Sequence, residues 1–334
     1  MQHGVQTHFD APIGLETLQA LVTRYVEVVR VDAQSCSRET FDAMQQEVAA
    51  AGLRPITVVS DVERLSWFAP GAWVEWTNEP DGDIAPAEYR VGLDLACNRA
   101  QAYGLDLWAP AISNLDHDSL LWLNRVRDAG GGWPAGLDGI SVHRYGDGTF
   151  EKPHPGFASR EREVAWLKAA CEGLPFIVTE FGYPTIDGLT EAQQAERISQ
   201  EWEFWTAQGA LAAFVFQLND GPTSHREHHY GIRRVDGSWK PSADTFPAPY
   251  LETDMLTATF SISRRYCLPH PSKPGYFTAR HPTNANTVLS VQPDGTIQTR
   301  PAGTAGGYEE FRIEGNRAVF PDVGGLVFTI PLVE

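Results

Sequence analysis

Positively charged side chains are scarce in this sequence. Its 334 residues include 26 Lys and Arg against 43 Asp and Glu, which gives a formal net charge of −17 at pH 7. Proteins that bind nucleic acids need clustered Lys and Arg to neutralise the phosphates. The composition therefore argues against a nucleic-acid partner, and a solvated acidic surface is the simplest interpretation of the charge.

Cysteine is also scarce. The chain has four, with no CxxC pair and no Cys/His cluster at zinc-like spacing: Cys36, Cys97, Cys171 and Cys267. The sequence thus predicts neither a disulfide framework nor a structural metal site. Cys97 and Cys171 fall within helical patterns, where a cysteine commonly serves as a small buried hydrophobe.

Long apolar runs are missing as well. No stretch approaches the roughly 18 apolar residues of a transmembrane helix, so the sequence predicts no association with a membrane. The first residues, Met1-Gln-His-Gly-Val, lack the charged and then apolar regions of a signal peptide. Three fates remain open: the protein stays in the cell, leaves it by lysis, or is secreted and trimmed.

Eight short apolar runs, rich in Val, Ile, Phe and Trp, recur along the first two thirds of the chain. They occupy residues 4–9, 26–31, 55–59, 72–77, 105–110, 137–143, 175–179 and 212–217. Such runs are typical of strands that are buried on both faces. Between them lie segments with the apolar periodicity of amphipathic helices, at residues 13–23, 39–51, 85–103, 119–129, 161–172 and 192–208.

This alternation of strand and helix over about 220 residues fits either a (β/α)8 barrel or a doubly wound sheet. Eight units without a glycine-rich phosphate-binding loop favour the α/β class of the (β/α)8 TIM barrel. Only about a dozen residues separate the third and fourth strands, so we expect the third helix to be short or missing. The predicted barrel occupies residues 1–250.

The pattern changes in the last part of the chain. Short alternating runs occur at residues 276–280, 287–292, 296–300, 310–313, 318–320 and 326–330. Turn signals such as Pro293-Asp294-Gly295 separate them, which is typical of β-hairpins. Residues 251–334 are therefore predicted to form a small all-β domain, which could be a carbohydrate-binding module or a structural brace.

Polar side chains stand where the predicted strands end. In chain order they are His8, Arg30, Asp61, Asn78, Glu79, Ser113, His143, Tyr145, Glu180, Gln217 and Asn219. Barrel enzymes place their active sites at the C-terminal ends of the strands, so these side chains are expected to converge on one mouth. The carboxylates Glu79 and Glu180 end the fourth and seventh strands. Retaining glycosidases need such a pair, about 5–5.5 Å apart.

Several motifs resemble those of clan A glycoside hydrolases, which include many cellulases, mannanases and xylosidases. WVEWTNEP and FIVTEFGYP resemble the clan's strand-four and strand-seven signatures. VVRVD and ISVHRYG resemble its strand-two and strand-six motifs, and YGIRRVDGSWKPSA resembles its last loop. The resemblance covers residues 1 to about 250. It implies a (β/α)8 barrel and a retaining β-glycoside hydrolase that uses no cofactor and no metal.

The resemblance also implies roles for individual residues. Glu79 becomes the acid/base and Glu180 the nucleophile, while Arg30 hydrogen-bonds the nucleophile and Asn78 binds the sugar 2-hydroxyl. His143 and Tyr145 belong to the same site. Arg30 could instead be a structural ion pair of the barrel, and His143 and Tyr145 could be core residues. His8, Asp61 and Gln217 are further candidates for substrate binding, with structural roles equally open.

The sequence departs from the clan pattern at the end of the eighth strand. Many members carry a Trp there as the floor of the sugar-binding subsite, whereas this chain reads Phe-Val-Phe-Gln-Leu-Asn over residues 214–219. Phe216 or a loop residue could supply the platform, or Gln217 and Asn219 could hydrogen-bond the sugar. The histidines of the next loop could line a subsite or bind a metal, although their charged neighbours favour a solvated loop: His225, His228 and His229.

Two rival functions remain. A carbohydrate-binding or receptor-recognition protein could keep the barrel without turnover, but it would have no need for two carboxyls in one site. A metal-dependent hydrolase would need His and Asp at several strand ends, and only His8 and His143 are available. The predicted partner is an oligo- or polysaccharide. Short loops favour endo cleavage, while the sugar, the linkage and the oligomeric state stay open.

Overall fold

The computed structural model describes residues 1–7, 13–145, 150, 152–186 and 188–247, together with the strands between residues 262 and 333. The chain divides into two units, Met1–Pro247 and Ala248–Glu334. The proposed boundary at residue 250 lies among residues outside the described part.

The first unit contains a parallel eight-stranded sheet in the order β5-β4-β3-β2-β1-β8-β7-β6. Its strands are β1 (Gln2–Gln6), β2 (Val28–Asp32), β3 (Arg54–Val59), β4 (Trp73–Trp76), β5 (Asp106–Trp108), β6 (Ile140–Tyr145), β7 (Phe176–Gly182) and β8 (Ala212–Val215). Between β5 and β6 the backbone bonds Ala109 N to Gly139 O, 3.1 Å, and Asp138 N to Leu107 O, 2.9 Å, close the ring. The predicted α/β barrel is confirmed.

In the part of the chain that the structure describes, six α-helices connect these strands. They are α1 (Leu15–Val22), α2 (Arg38–Ala50), α3 (Pro86–Tyr103), α4 (His117–Ala129), α5 (Arg160–Cys171) and α6 (Glu191–Gln208). Between β3 and β4 the chain forms only a 3-10 helix at Val62–Trp67, so the prediction of a short third helix is confirmed. Two further 3-10 helices follow β8, at Arg226–His229 and Pro241–Asp244. No helix in the described part of the chain is long and apolar enough to cross a bilayer.

Local sequence explains where the helices begin and end. Thr190 and Gln193 form a reciprocal capping box at the start of α6, which satisfies two backbone N–H groups that lack helical partners. Gly209 ends this helix in the left-handed conformation (φ 77°), which costs glycine little. Cys97 and Cys171 are 1% and 2% exposed in α3 and α5, and burial raises the pKa of each thiol to about 12.

The barrel interior has an apolar layer and, above it, a polar layer. The apolar layer consists of Val28, Ile56, Trp73, Trp108, Ile177, Ala212 and Phe214. Side chains two residues apart on a strand point to the same face, so Arg30, Glu75 and Thr179 follow Val28, Trp73 and Ile177 on the inner face. These three polar side chains, from β2, β4 and β7, therefore form a layer between the apolar layer and the barrel mouth.

Gly4 in β1 makes room for this apolar layer. A Cβ atom at Gly4 would overlap Cδ1 of Phe214 and lie 2.7 Å from Cγ2 of Val28. We expect Gly4→Ala to lower the free energy of unfolding by about 1–3 kcal/mol, because overpacking a filled core forces its neighbours to move. Urea unfolding followed by Trp fluorescence measures this in the barrel alone, since all ten Trp lie in the first unit.

Gly92→Ala is the matched control. Gly92 lies in α3, and a Cβ added there meets nothing within 4 Å. Because Ala is the better helix former, we expect this variant to be as stable as the parent or more stable by about 0.5–1 kcal/mol. Equal urea midpoints for Gly4→Ala and Gly92→Ala would contradict the packing argument.

The second unit consists, in its described parts, of strands. They are β9 (Ile262–Ser263), β10 (Cys267–Pro269), β11 (Phe277–Ala279), β12 (Thr287–Val291), β13 (Ile297–Pro301), β14 (Glu310–Glu314), β15 (Arg317–Val323) and β16 (Leu326–Val333). Six form a sheet in the order β10-β11-β14-β15-β16-β9, and β12 pairs with β13. The prediction of an all-β region after the barrel agrees with these strands, and its role stays a prediction.

Candidate active site

A buried ion pair forms the base of the site. The guanidinium of Arg30 on β2 donates to both carboxylate oxygens of Glu75 on β4, from Nε at 2.6 Å and from Nη2 at 3.0 Å. The hydroxyl of Thr179 on β7 also donates to Glu75, at 3.2 Å. The side chains of Arg30 and Glu75 are 1% and 0% exposed. This two-point contact fixes the plane of the guanidinium inside the barrel.

Arg30 also reaches upward to the mouth. Its Nη1 donates to Oε1 of Glu180, and its Nη2 donates to Oδ1 of Asn78 at 2.7 Å. Burial disfavours the cation, but the charges of Glu75 and Glu180 together outweigh that effect and hold the pKa of Arg30 above its ordinary value. Arg30 is therefore a fixed positive charge beneath Glu180.

Glu180 lies in β7 and is almost fully buried, with 6% of its side chain exposed. While Oε1 accepts from Arg30, Oε2 accepts from the hydroxyl of Tyr145. Burial, followed by the negative charge of Glu180, raises the pKa of Tyr145 well above its usual value. Tyr145 thus remains a proton-bearing donor, and hydrogen bonds of this kind stabilise the ionised form of a carboxyl group.

Glu79 stands on the open side of the same site. It follows β4 and keeps 41% of its side chain exposed. Its backbone is left-handed (φ 47°), and its N–H donates to the carbonyl of Ala111 at 2.8 Å. Oε1 of Glu79 lies 2.9 Å from Nδ1 of His143, a nitrogen that is also 3.6 Å from Oε2 of Glu180. The buried imidazole of His143 therefore lies against both carboxyls.

The two carboxyls are close to each other. One oxygen of Glu79, one oxygen of Glu180 and a ring nitrogen of His143 all lie within 4.8 Å of one another. An oxygen-to-oxygen distance below 4.8 Å is compatible with the ~5–5.5 Å that separates the two carboxyl groups of retaining glycosidases. The environments of the two carboxyls differ, since Glu180 is buried against a cation and Glu79 is partly exposed.

A cleft of about 480 Å³ opens over the carboxyls, and its walls include Asn78, Glu79, Tyr145, Glu180, Phe216, His225, Arg226, Glu227 and Tyr230. Three of these side chains form an aromatic cluster. The ring of Phe216 lies 5.7 Å from that of Tyr145 and 5.6 Å from that of Tyr230, edge-on or tilted in each case. Phe216 thus lines the cleft, and its role as a platform for the sugar stays a prediction.

No known family profile matches the chain, and no curated protein matches it in sequence. Solved structures do match. One is a subgroup II endo-β-1,3-glucanase of glycoside hydrolase family 128 from Pseudomonas viridiflava, with a TM-score of 0.53 and 14% identity, covering 73% of this chain and 96% of that one. Another is a family 39 glycoside hydrolase from Bacteroides cellulosilyticus, with a TM-score of 0.57 and 15% identity, covering 94% and 79%. A third is a family 17 β-1,3-glucanosyltransferase from Rhizomucor miehei, with a TM-score of 0.53 and 13% identity, covering 72% and 96%. The chain has their barrel fold.

Two of the remaining candidates, Asp61 and Gln217, are not among the described residues that line this cleft. The carboxylate of Asp61 caps the 3-10 helix after β3, where it accepts from the backbone N–H of Glu63 at 3.0 Å. The amide of Gln217 donates to the backbone carbonyl of Glu227 at 2.8 Å and so braces the loop after β8. His8 lies outside the described residues.

One charged residue of the site is missing from the sequence-based predictions. It is Glu75, although a carboxylate inside a strand buried on both faces is itself a signal, because such a charge needs a partner. For the loop after β8, the sequence leaves both a subsite wall and a solvated loop open and favours the second. Its residues His225, Arg226 and Glu227 are exposed, but they also form one wall of the cleft.

The spacing of Glu79, His143 and Glu180 would also allow them to share a metal ion. The surrounding charges oppose this. Both oxygens of Glu180 already accept hydrogen bonds, from Arg30 and from Tyr145. A divalent cation bound to Glu180 would also lie beside the guanidinium of Arg30 and be repelled by it. The donor set is therefore better suited to proton transfer and nucleophilic attack than to metal binding.

Proposed function

We propose that this protein is a retaining β-glycoside hydrolase in which Glu180 is the nucleophile and Glu79 is the acid/base. The observation that carries the proposal is the pair of carboxyls within 4.8 Å of each other in unequal surroundings. A retaining glycosidase needs one carboxyl that donates a proton and one that attacks as the carboxylate. The cation of Arg30 lies beside Glu180, which suits Glu180 to the role of the carboxylate and leaves that of the proton donor to Glu79.

The first step follows from these positions. Glu79 donates its proton to the glycosidic oxygen as the bond to the anomeric carbon breaks, and a carboxylate oxygen of Glu180 attacks that carbon from the opposite face. The leaving group departs as an alcohol, and a covalent glycosyl-enzyme remains. Because Oδ1 of Asn78 accepts from Arg30, its Nδ2 is the atom left to donate to the sugar 2-hydroxyl.

The second step reverses the roles. Glu79, now ionised, removes a proton from water while the water oxygen attacks the anomeric carbon and displaces the carboxylate of Glu180. The sugar leaves with its original anomeric configuration. The hydroxyl of Tyr145, which bonds Oε2 of Glu180, holds the carboxylate in place before attack and after release.

For the substrate, we propose a β-linked polysaccharide that is cut internally. The similar structures include an endo-β-1,3-glucanase and a β-1,3-glucanosyltransferase, so a β-1,3-glucan is the first polymer to test. The aromatic cluster of Tyr145, Phe216 and Tyr230 offers apolar ring surface, which suits the apolar faces of sugars.

The test is a panel of β-1,3-, β-1,4- and mixed-linkage glucans, mannan and xylan, followed by reducing-end release and mass spectrometry of the products. ¹H NMR during the first minutes identifies the anomer that forms first. We expect a β-product, because double displacement retains configuration. A first-formed α-anomer would overturn the retaining mechanism. Binding without release of any reducing end would instead support the rival carbohydrate-binding function.

A further inference from the structure

Glu75 is a fully buried carboxylate that the two-step mechanism does not use. It is 0% exposed in β4, directly above Trp73 of the apolar layer. Removing a charged pair from water is costly, and an apolar pair of the same volume is often as stable or more stable. Glu75 therefore calls for an explanation other than stability, and its contacts supply one.

Those contacts determine how Arg30 uses its donors. Glu75 takes Nε and one hydrogen of Nη2, at 2.6 and 3.0 Å. The second hydrogen of Nη2 remains for Asn78, and Nη1 remains for Glu180. The guanidinium is planar and rigid, so the orientation that Glu75 imposes is passed directly to both of these residues.

Glu75 also sets the charge that Glu180 experiences. Arg30 carries one positive charge and contacts two carboxylates, Glu75 and Glu180. With Glu75 ionised, the positive charge is shared and only part of it acts on Glu180. Without Glu75, the whole charge would act on Glu180. A carboxylate that is neutralised more completely binds a proton less readily and is a weaker nucleophile.

We propose that Glu75 is a positioning residue that orients Arg30 and moderates its charge, and thereby sets the proton affinity of Glu180 and the placement of Asn78. This inference rests on the proposed function, in which Glu180 is the nucleophile. Among the described residues, Tyr145 and His143 from β6 and Glu79 from the end of β4 also face Glu180.

Glu75→Gln tests the proposal, because it keeps the shape and an acceptor for Arg30 but removes the charge. In the acid limb of the kcat/KM profile, activity rises as the nucleophile loses its proton. We expect the midpoint of that limb to move to lower pH by about one unit, and kcat to fall by about tenfold to a hundredfold. The basic limb, which reports Glu79, should move less, since Glu79 does not bond Arg30.

Two variants separate charge from geometry. Glu75→Asp keeps the charge but shortens the side chain, so kcat should fall while the acid midpoint stays near that of the parent. Glu201→Gln is the matched control, because Glu201 of α6 is almost as buried as Glu75, at 1% exposed, and pairs with an arginine, Arg160, at 2.7 Å. It should lower stability and leave both limbs in place.

A readout that needs no turnover distinguishes this inference from the proposed function. In protein labelled with ¹³C at the Glu carboxyls, the titration of Glu180 is assigned by its loss in Glu180→Gln. A lower titration midpoint for Glu180 in Glu75→Gln supports the inference even if no glycan is cleaved. An unchanged Glu180 titration and an unchanged acid limb in Glu75→Gln would overturn it, whatever happens to kcat.

Discussion

If Glu180 is the nucleophile, we expect Glu180→Gln to lower kcat on the polysaccharide substrate by about a thousandfold or more while the barrel stays folded. An amide cannot attack the anomeric carbon, so the route through a covalent intermediate is lost, while binding and proton donation by Glu79 persist. The volume of the side chain is unchanged, and the amide oxygen can still accept from Arg30. Reducing-end assays at several substrate concentrations should show the loss in kcat rather than in KM.

Replacing Glu180 with the smaller Ala gives a second test, in which the anomeric configuration of an azide product is measured. Glu180→Ala leaves a space beside the anomeric carbon that a small anion such as azide can enter. With an activated aryl β-glycoside, azide should restore turnover and yield an α-glycosyl azide, because it attacks from the nucleophile's face. Glu63→Gln, whose side chain is 75% exposed, should retain parental activity. Parental kcat in Glu180→Gln, or a β-azide from Glu180→Ala, would refute the assignment.

The barrel could be predicted because the strands are largely buried on both faces and most are followed within a few residues by polar side chains. These features are local, so they can be recognised in a single sequence. The position of β1 was less accurate: the sequence predicts a strand at residues 4–9, whereas β1 spans Gln2–Gln6. Pairing sets these bounds, since Gln2 is opposite Ala212 of β8, and no local pattern encodes that register.

The contact of Glu75 with Arg30 could not be predicted in the same way. The two residues lie on β4 and β2, and β3 stands between them, so their side chains meet across the barrel interior. Such contacts depend on strand tilt and stagger, which alternation alone does not specify. The loop after β8 raises a similar difficulty. Two hydrogen bonds fix it, one from the amide of Gln217 to the carbonyl of Glu227 and one from the N–H of Gly221 to the carbonyl of His228. No local sequence pattern predicts such bonds, because they depend on the folded path of the loop.

Asp61 shows that one sequence signal can have two structural causes. It stands at a strand end, as an active-site residue of a barrel does, but its carboxylate caps the next 3-10 helix. Asp is a favoured N-cap residue for that reason. The two roles produce the same sequence signal, and the geometry of the neighbouring backbone decides between them.

Replacing Glu79 with Ala should have an effect that depends on the leaving group. Hydrolysis of a polysaccharide needs a proton donor, so we expect it to fall by about a thousandfold or more. The dinitrophenolate of a dinitrophenyl glycoside is a stable anion that needs no proton to leave, so the first step with this substrate should remain fast. The second step also needs Glu79, as the base, and should become limiting. A burst of dinitrophenolate and a glycosyl-enzyme visible by intact-protein mass spectrometry are the measurements.

The stereochemistry of rescue then separates Glu79 from Glu180. In Glu79→Ala, azide enters on the face of the missing acid/base and displaces the carboxylate of Glu180, so the product should be a β-glycosyl azide. This is opposite to the α-azide expected from Glu180→Ala, and one NMR measurement distinguishes them. The exposed Glu88 of α3 gives the control variant Glu88→Gln, which should show neither burst nor rescue. An equal loss in kcat/KM, which reports the first step, on the polysaccharide and the dinitrophenyl glycoside would contradict acid catalysis by Glu79, because the loss in that step must grow as the leaving group worsens.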